Sequence, residues 1–235
     1  MGSKRLLTGI SVVIPAAGMG IRMGSSIPKQ YLTCGHRSVL EITLDRFLSL
    51  QPDQIVLVVS PTDDYFQEIP GVASCRVVKG GVERSDSVLA GLRELKLQQD
   101  DWVMVHDAVR PCVRTADILR LVATVARSRV GGLLAIPVTD TIKASRTVSC
   151  GSQVSHTINR QGLWQAQTPQ LFRFGVLNEA LQQVEGMQIT DESAAVENAG
   201  MHPRLVEGHR DNIKITEPED IELARIFLSA SGSGV

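Results

Sequence analysis

No apolar run in these 235 residues approaches the ~18 needed to cross a membrane, and the first eight residues hold no apolar signal core. Lys and Arg total 24 against 25 Asp and Glu, a net charge of −1, which leaves no broad basic surface for nucleic acid. A local basic pocket is compatible with that balance. Four cysteines, Cys34, Cys75, Cys112 and Cys150, are widely spaced, with no C-x-x-C pair and no His at zinc-site spacing. They read as free thiols of a reducing compartment, so the chain is expected to be cytoplasmic. Internal repeats, low-complexity segments and an evident Ser-His-Asp or Cys-His set are all missing from the sequence.

What is present is a series of β-branched apolar runs alternating with amphipathic stretches. Residues 10–15 (ISVVIP), 54–60, 75–80, 102–107 and 132–138 read as strands buried on both faces. Residues 38–50, 83–96 and 114–128 carry helical spacing between them. This order predicts βαβ units, hence a mostly parallel twisted sheet with helices on both faces, in one α/β domain over 1–235. Ligands bind beyond the carboxyl ends of such strands, so the loops after Pro15, Lys79, Val105 and Ile136 are expected to converge on one cleft. Residues 139–159 are too polar for a core and read as a projecting β-hairpin arm turning at Cys150-Gly151, with a role in dimerisation. Helices are expected over 174–184, 190–200 (capped by Thr190 or Asp191, ended by Gly200) and 217–230, with short strands at RLVEG and NIKI.

Residues 12–32 (VVIPAAGMGIRMGSSIPKQYL) run from a strand into a glycine-rich turn. No GK[ST] follows, which excludes an ordinary P-loop. Gly18-Met19-Gly20 is followed by Ile21, Arg22 and Met23, so the third small residue of a dinucleotide fingerprint is missing as well. What the turn does deliver is two cations, Arg22 and Lys29. Backbone N–H groups of a glycine-rich turn can surround nucleotide phosphates, and the two cations can neutralise charge that grows on a triphosphate during reaction. An idle nucleotide-binding module has no need of that pair, and an NAD-dependent oxidoreductase would need the missing small residue.

The motifs PAAGMGIRM, PKQYL, GGVERSDSVLAGL, VHDAVRP, DTIK, NRQGLWQAQTPQLF, TDESAAVE and VEGHRDNIKIT occur in one order across residues 10–228. In these the chain resembles the 2-C-methyl-D-erythritol 4-phosphate cytidylyltransferase family. The resemblance implies a Rossmann-like nucleotidyltransferase fold and transfer of the cytidylyl group of CTP to 2-C-methyl-D-erythritol 4-phosphate, with release of pyrophosphate. The alternative acceptor is D-ribitol 5-phosphate. It implies that Arg22 and Lys29 contact the triphosphate, and that Pro15, Ala16, Ala17, Gly18, Gly81, Ser87 and Ala108 line the CTP. Asp107 would hold Mg²⁺, which usually takes only one or two carboxylates. Arg110, Thr141, Arg160, Thr168, Thr190 and Lys214, together with Asp107, would form the acceptor pocket. Arg160 and Lys214 would hold its phosphate, and Arg160, at the end of the arm, would serve the neighbouring subunit of a homodimer. The chain departs from the family pattern at Val82, Val109 and Ser193-Ala194. His106 has no second His at helical spacing and reads as structural.

The chemistry fits these residue types independently. The attacking oxygen belongs to a phosphate monoester whose second pKa is about 6, so it is largely a dianion at neutral pH. No general base and no protein nucleophile are then required, only positioning and charge neutralisation.

Overall fold

The computed structural model describes residues 5–18, 27–148, 151–184 and 189–230. Among these a seven-stranded sheet forms the centre, in the spatial order β11 (Arg204–Glu207), β7 (Gly131–Pro137), β10 (Trp164–Arg173), β6 (Trp102–Val105), β1 (Ile10–Ala16), β4 (Gln54–Val59) and β5 (Arg76–Lys79). All run parallel except β10, which is antiparallel to both β6 and β7. Alternation along β1 shows how the strands serve two cores. Val12 and Ile14 pack with Leu40, Leu44 and Phe47 of α1 (Val39–Leu48) and with Ile118 and Leu121 of α3 (Thr115–Val125). Val13 faces the opposite layer, against Val88, Leu89 and Leu92 of α2 (Arg84–Arg93) and Leu177 of α4 (Phe174–Gln183). Period-2 side-chain direction places each set on its own face, and fully burying one such side chain is worth about 1.5–3 kcal/mol.

Helix α2 lies close to the sheet because Gly91 has no side chain. A Cβ there would stand 2.7 Å from Val13 Cγ1 and 2.9 Å from Val58 Cγ2. Helix α5 (Glu192–Asn198) joins the second layer through Ala195 and Val196. Helix α6 (Glu219–Ala230) packs through Ala224 and Leu228 on α1 and on Cys34 of the short strand β2 (Thr33–Cys34), which pairs with β3 (Arg37–Ser38). The arm is a separate antiparallel pair, β8 (Ile142–Val148) and β9 (Gly151–Ile158), with every residue of β9 exposed. The expected turn residue Cys150 lies outside the described residues.

Three expectations need correction. Strand β5 is not buried on both faces: it is the sheet edge and is half-buried to exposed. NIKI (212–215) forms no strand; Ile215 N–H donates to the Val109 carbonyl at 2.9 Å and the segment folds as a loop. Strand β10 was not expected, because three glutamines and a proline interrupt its apolar pattern. Its buried glutamines are satisfied in place. Gln170 Nε2 donates to Asp191 Oδ2 at 2.8 Å, and Gln167 Nε2 donates to the His209 carbonyl at 2.9 Å. Pro169, which has no N–H to give a ladder, falls within the register shift between Ala166 and Gln170.

Chain order gives the sheet its crevice. From β1 the chain passes through α1 to β4 on one side, then returns from β5 through α2 to β6 on the other. That reversal opens a gap at the carboxyl ends of β1 and β6, the place where sheets of this kind receive ligands.

Candidate active site

Two adjoining cavities occupy the crevice. The first, about 190 Å³, is walled by Pro15 to Gly18 at the end of β1, by Lys29 and Gln30, by residues 81–84 and Ser87 at the start of α2, and by residues 107–109 after β6. The second, about 220 Å³, is bordered by Arg110, by Ala166 to Thr168 and Gln170 of β10, and by Thr190 and Asp191. Arg84, Asp107 and Lys214 line both. The loop after Ile136 does not reach this cleft: Ile136, Pro137 and Thr139 line a different cavity of about 810 Å³ beside Leu205 and Arg210.

Each wall is held by an identifiable contact. Buried Gln30 donates from Nε2 to the Ala16 carbonyl at 2.7 Å, fixing the chain where it leaves β1. Gly80 brings residues 80–81 against that exit, since a Cβ on it would stand 2.5 Å from Ser87 Oγ and 2.9 Å from Ala17 Cβ. The Glu83 N–H donates to Asp86 Oδ2 at 3.0 Å, which closes the first turn of α2. Asp191, not Thr190, caps α5 by accepting from the Ala194 N–H at 3.0 Å, and Thr190 borders the second cavity. Asn212 Nδ2 donates to the Thr168 carbonyl at 2.8 Å and ties the Lys214 loop to β10.

The shared wall is a charge cluster. Asp107 Oδ1 accepts from Arg84 Nε at 3.0 Å and from Nη2 at 2.8 Å, while Oδ2 faces Lys214 Nζ at 3.0 Å and Arg110 Nε at 3.4 Å. Burial alone would raise the Asp107 pKa, but Arg84, Lys214 and Arg110 outweigh it and hold the carboxyl well below the usual range. Arg84 also grips Glu192, with Nη1 donating to Oε1 at 2.5 Å and Nη2 to Oε2 at 3.1 Å. Burial of Arg84 opposes its charge, yet Glu192 and Asp107 raise its pKa above the ordinary value.

Behind Asp107 lies a neutral relay. His106, fully buried and tilted against Phe47 at 4.8 Å between ring centroids, has its pKa lowered to about 4 by that burial. Its Nε2 is 3.1 Å from the Arg110 carbonyl, which can only accept, so Nε2 carries the proton and donates. Nδ1 is then the acceptor for the Thr168 hydroxyl at 3.1 Å, and Thr168 Oγ1 in turn accepts from the Asp107 N–H at 3.0 Å. His106 is therefore structural, and Thr168 fixes the backbone of Asp107 while also bordering the second cavity.

Pro15, Ala16, Ala17, Gly18, Lys29, Gly81, Ser87 and Ala108 thus gather around the first cavity, and Arg110, Thr168 and Thr190 around the second, with Asp107 and Lys214 between. Arg22 lies outside the described residues. Thr141 and Arg160 border neither cavity. Both are exposed at the root of the arm, where Arg160 Nη1 donates to the Thr139 carbonyl. Sequence reasoning missed Arg84, Gln30, Glu192 and Asn212. Arg84 stood inside a quoted motif, but its partners are 23 and 108 residues away, beyond any local signal. Among the described residues no group of three or more His, Cys, Asp or Glu could hold a metal. Asp107, the carboxylate common to both cavities, is already contacted by three cations, so an ion such as Mg²⁺ would draw at most one oxygen from it and complete its shell with phosphate oxygens and water. No helix of the described residues is long and apolar enough to cross a membrane.

Comparison with known proteins gives the family and the fold. Residues 10–230 match the family model of 2-C-methyl-D-erythritol 4-phosphate cytidylyltransferase (IspD). The protein of that name from Hahella chejuensis is 49% identical over 224 residues, covering 92% of either chain. Its namesake from Escherichia coli O127:H6 is 45% identical over 225 residues, 94% of either chain. A crystal structure of 4-diphosphocytidyl-2C-methyl-D-erythritol synthase superposes with a TM-score of 0.80 at 39% identity, covering 93% of this chain and 97% of that one. The crystal structure of the Francisella tularensis cytidylyltransferase gives 0.78 at 34% identity, over 93% of this chain and 99% of that one.

Proposed function

This chain belongs to the 2-C-methyl-D-erythritol 4-phosphate cytidylyltransferase family, and from that premise we propose how its cleft carries the reaction. The activity is transfer of the cytidylyl group of CTP to 2-C-methyl-D-erythritol 4-phosphate, giving 4-diphosphocytidyl-2-C-methyl-D-erythritol and pyrophosphate. The names of the relatives favour this acceptor over D-ribitol 5-phosphate. The observation that carries the reading is the wall of Arg84, Asp107 and Lys214 common to two cavities, because two phosphates must meet across one boundary.

CTP takes the first cavity, its base and ribose along Pro15 to Gly18, Gly81, Ser87 and Ala108, its triphosphate toward Arg22 and Lys29. The start of α2 adds the positive end of its dipole to the same cavity. The acceptor takes the second, with its phosphate on Lys214 and its hydroxyls within reach of Thr168, Thr190 and Arg110. An oxygen of that phosphate attacks the α-phosphorus of CTP, and the bond to the β-phosphate oxygen breaks as pyrophosphate leaves. The phosphate is already a dianion, so no side chain removes a proton. Lys29, Arg22 and Lys214 offset charge that builds on the phosphoryl oxygens, where preorganised cations are worth most. Asp107 is the carboxylate that would face a bound Mg²⁺, which would neutralise triphosphate charge; because Arg84 holds Oδ1 and Lys214 and Arg110 hold Oδ2, it would take the ion only as those cations turn to the phosphates.

Thr141 and Arg160 stand apart from their own cleft, which supports a homodimer in which the arm of one subunit brings both to the acceptor cavity of the other. In this reading residues 1–235 form one cytoplasmic catalytic unit with 139–159 as its dimerisation arm. The test is Mg²⁺-dependent pyrophosphate release from CTP, with the methylerythritol and ribitol phosphates run side by side. Release with the first alone is expected; release with ribitol 5-phosphate alone would overturn the acceptor assignment. Lys29→Ala should lower kcat about 100-fold or more while CTP affinity changes little. Equal loss of both would remove its transition-state role.

A further inference from the structure

Glu192 is the one member of the charge cluster that borders neither cavity. It is 1% exposed, at the first position of α5, and both its oxygens are held by Arg84. A carboxylate placed there cannot touch CTP or the acceptor as they lie in those cavities. Arg84 itself has four donor contacts, two to Asp107 and two to Glu192, so its fork is committed before any phosphate arrives. A guanidinium engaged in this way is poorly suited to gripping a phosphate. It is well suited to holding a carboxylate still, since a planar fork fixes both distance and plane.

We propose that Glu192 and Arg84 act as a positioning pair for the transfer reaction, Glu192 clamping Arg84 and Arg84 setting the Asp107 carboxylate on the wall between the two cavities. The inference rests on the cytidylyl-transfer reading above and adds two residues to it. Three cations crowd one carboxylate, and the two on Oδ2, Lys214 and Arg110, are the ones that reading gives to the acceptor. With Oδ1 pinned at 2.8 and 3.0 Å by Arg84, the direction of Oδ2 is fixed, and with it the places where Lys214 and Arg110 wait. Without Glu192, Arg84 would be able to swing toward the triphosphate in the first cavity, which it also lines. Asp107 would then lose its orientation. The pair also joins the first residue of α2 to the first residue of α5, the two helix starts that flank the cleft. A displacement of about 1 Å at such a site can cost on the order of 100-fold in rate without comparable loss of binding.

The experiment measures kcat, KM for both substrates, CTP affinity by calorimetry and thermal stability for wild type, Glu192→Gln, Arg84→Lys and the double variant R84K/E192Q. Positioning predicts that either single change lowers kcat at least 10-fold with CTP affinity within about 3-fold of wild type, and that the double variant is no worse than the worse single. Multiplying losses would overturn the pair, as would an unchanged kcat in Glu192→Gln. A single change leaves a buried charge unpaired and can unfold the chain, so R84M/E192L supplies the second arm: replacing both charges with apolar side chains of similar volume is often neutral or stabilising. This variant should fold, bind CTP and still lose at least 10-fold in kcat. Full turnover in it would show that the pair serves only stability. Absence of transfer by the wild type would instead defeat the cytidylyl-transfer reading, an outcome distinct from failure of the pair.

Discussion

In the cleft a side chain such as Arg84 or Thr168 is held from two or more directions by elements far apart in sequence; in the arm each strand is held only by the other. The difference is one of layers. The cleft lies at the ends of strands whose two faces are covered by α1 and α3 on one side and by α2, α4 and α5 on the other, and low surrounding polarity strengthens every ion pair formed there. The arm has no second layer: β9 is exposed throughout and β8 is half-buried to exposed. A two-stranded hairpin is marginal in water, and its open edges invite pairing with another chain. A cleft of this kind is ordered by its own chain, whereas an arm of this kind acquires a defined position from a second surface, which is the physical argument for the dimer proposed above.

The largest effects are expected in the layered region. Phe172, fully buried in β10 between the helix layers, should cost about 3–5 kcal/mol as Phe172→Ala in urea unfolding. A loss under 1 kcal/mol would mean that the layered sheet is no firmer than the arm. His106 sharpens the contrast through pH. Its folded pKa of about 4 lies below the ordinary value of 6.5, so the unfolded chain takes up the proton first as pH falls. Stability is therefore complete above pH 6.5 and declines toward pH 4, by about 3 kcal/mol from this group. His106→Asn should be less stable at pH 7 and should lose much of that slope; an unchanged slope would assign the acid sensitivity to other groups.

Effects at the arm should be smaller and of another kind. Arg160→Ala should raise KM for the acceptor about 10-fold with unfolding free energy unchanged, and mixing it with a Lys29→Ala partner should restore part of the activity if each site borrows the other subunit's arm. No recovery on mixing would argue that Arg160 serves its own chain. Ser152→Ala, exposed on β9, should change stability by less than about 0.5 kcal/mol. A loss of about 2 kcal/mol, the size reserved for buried or networked positions, would show the arm packed in a way its own chain does not provide.

The sequence by itself determined where β1, β4, β6, β7 and the helices run, because side-chain period is a local property. It also placed the loops after Pro15, Lys79 and Val105 at one cleft, because each follows a recognisable strand, while Gln30 and Arg84 in the same wall were not legible from it. Lys29 was legible for the same reason, following a glycine-rich turn closely in the chain. The tertiary structure alone decided what the interrupted β10 would be: Gln167 and Gln170 belong in a buried strand only because His209 and Asp191 stand ready to accept from them. It alone decided that Asp107 is held by three cations rather than left open, since Arg84, Arg110 and Lys214 come from three separate segments. And it alone withdrew Thr141 and Arg160 from the cleft of their own chain. Local pattern fixes which way a side chain faces; only the packing of distant elements fixes what it meets there.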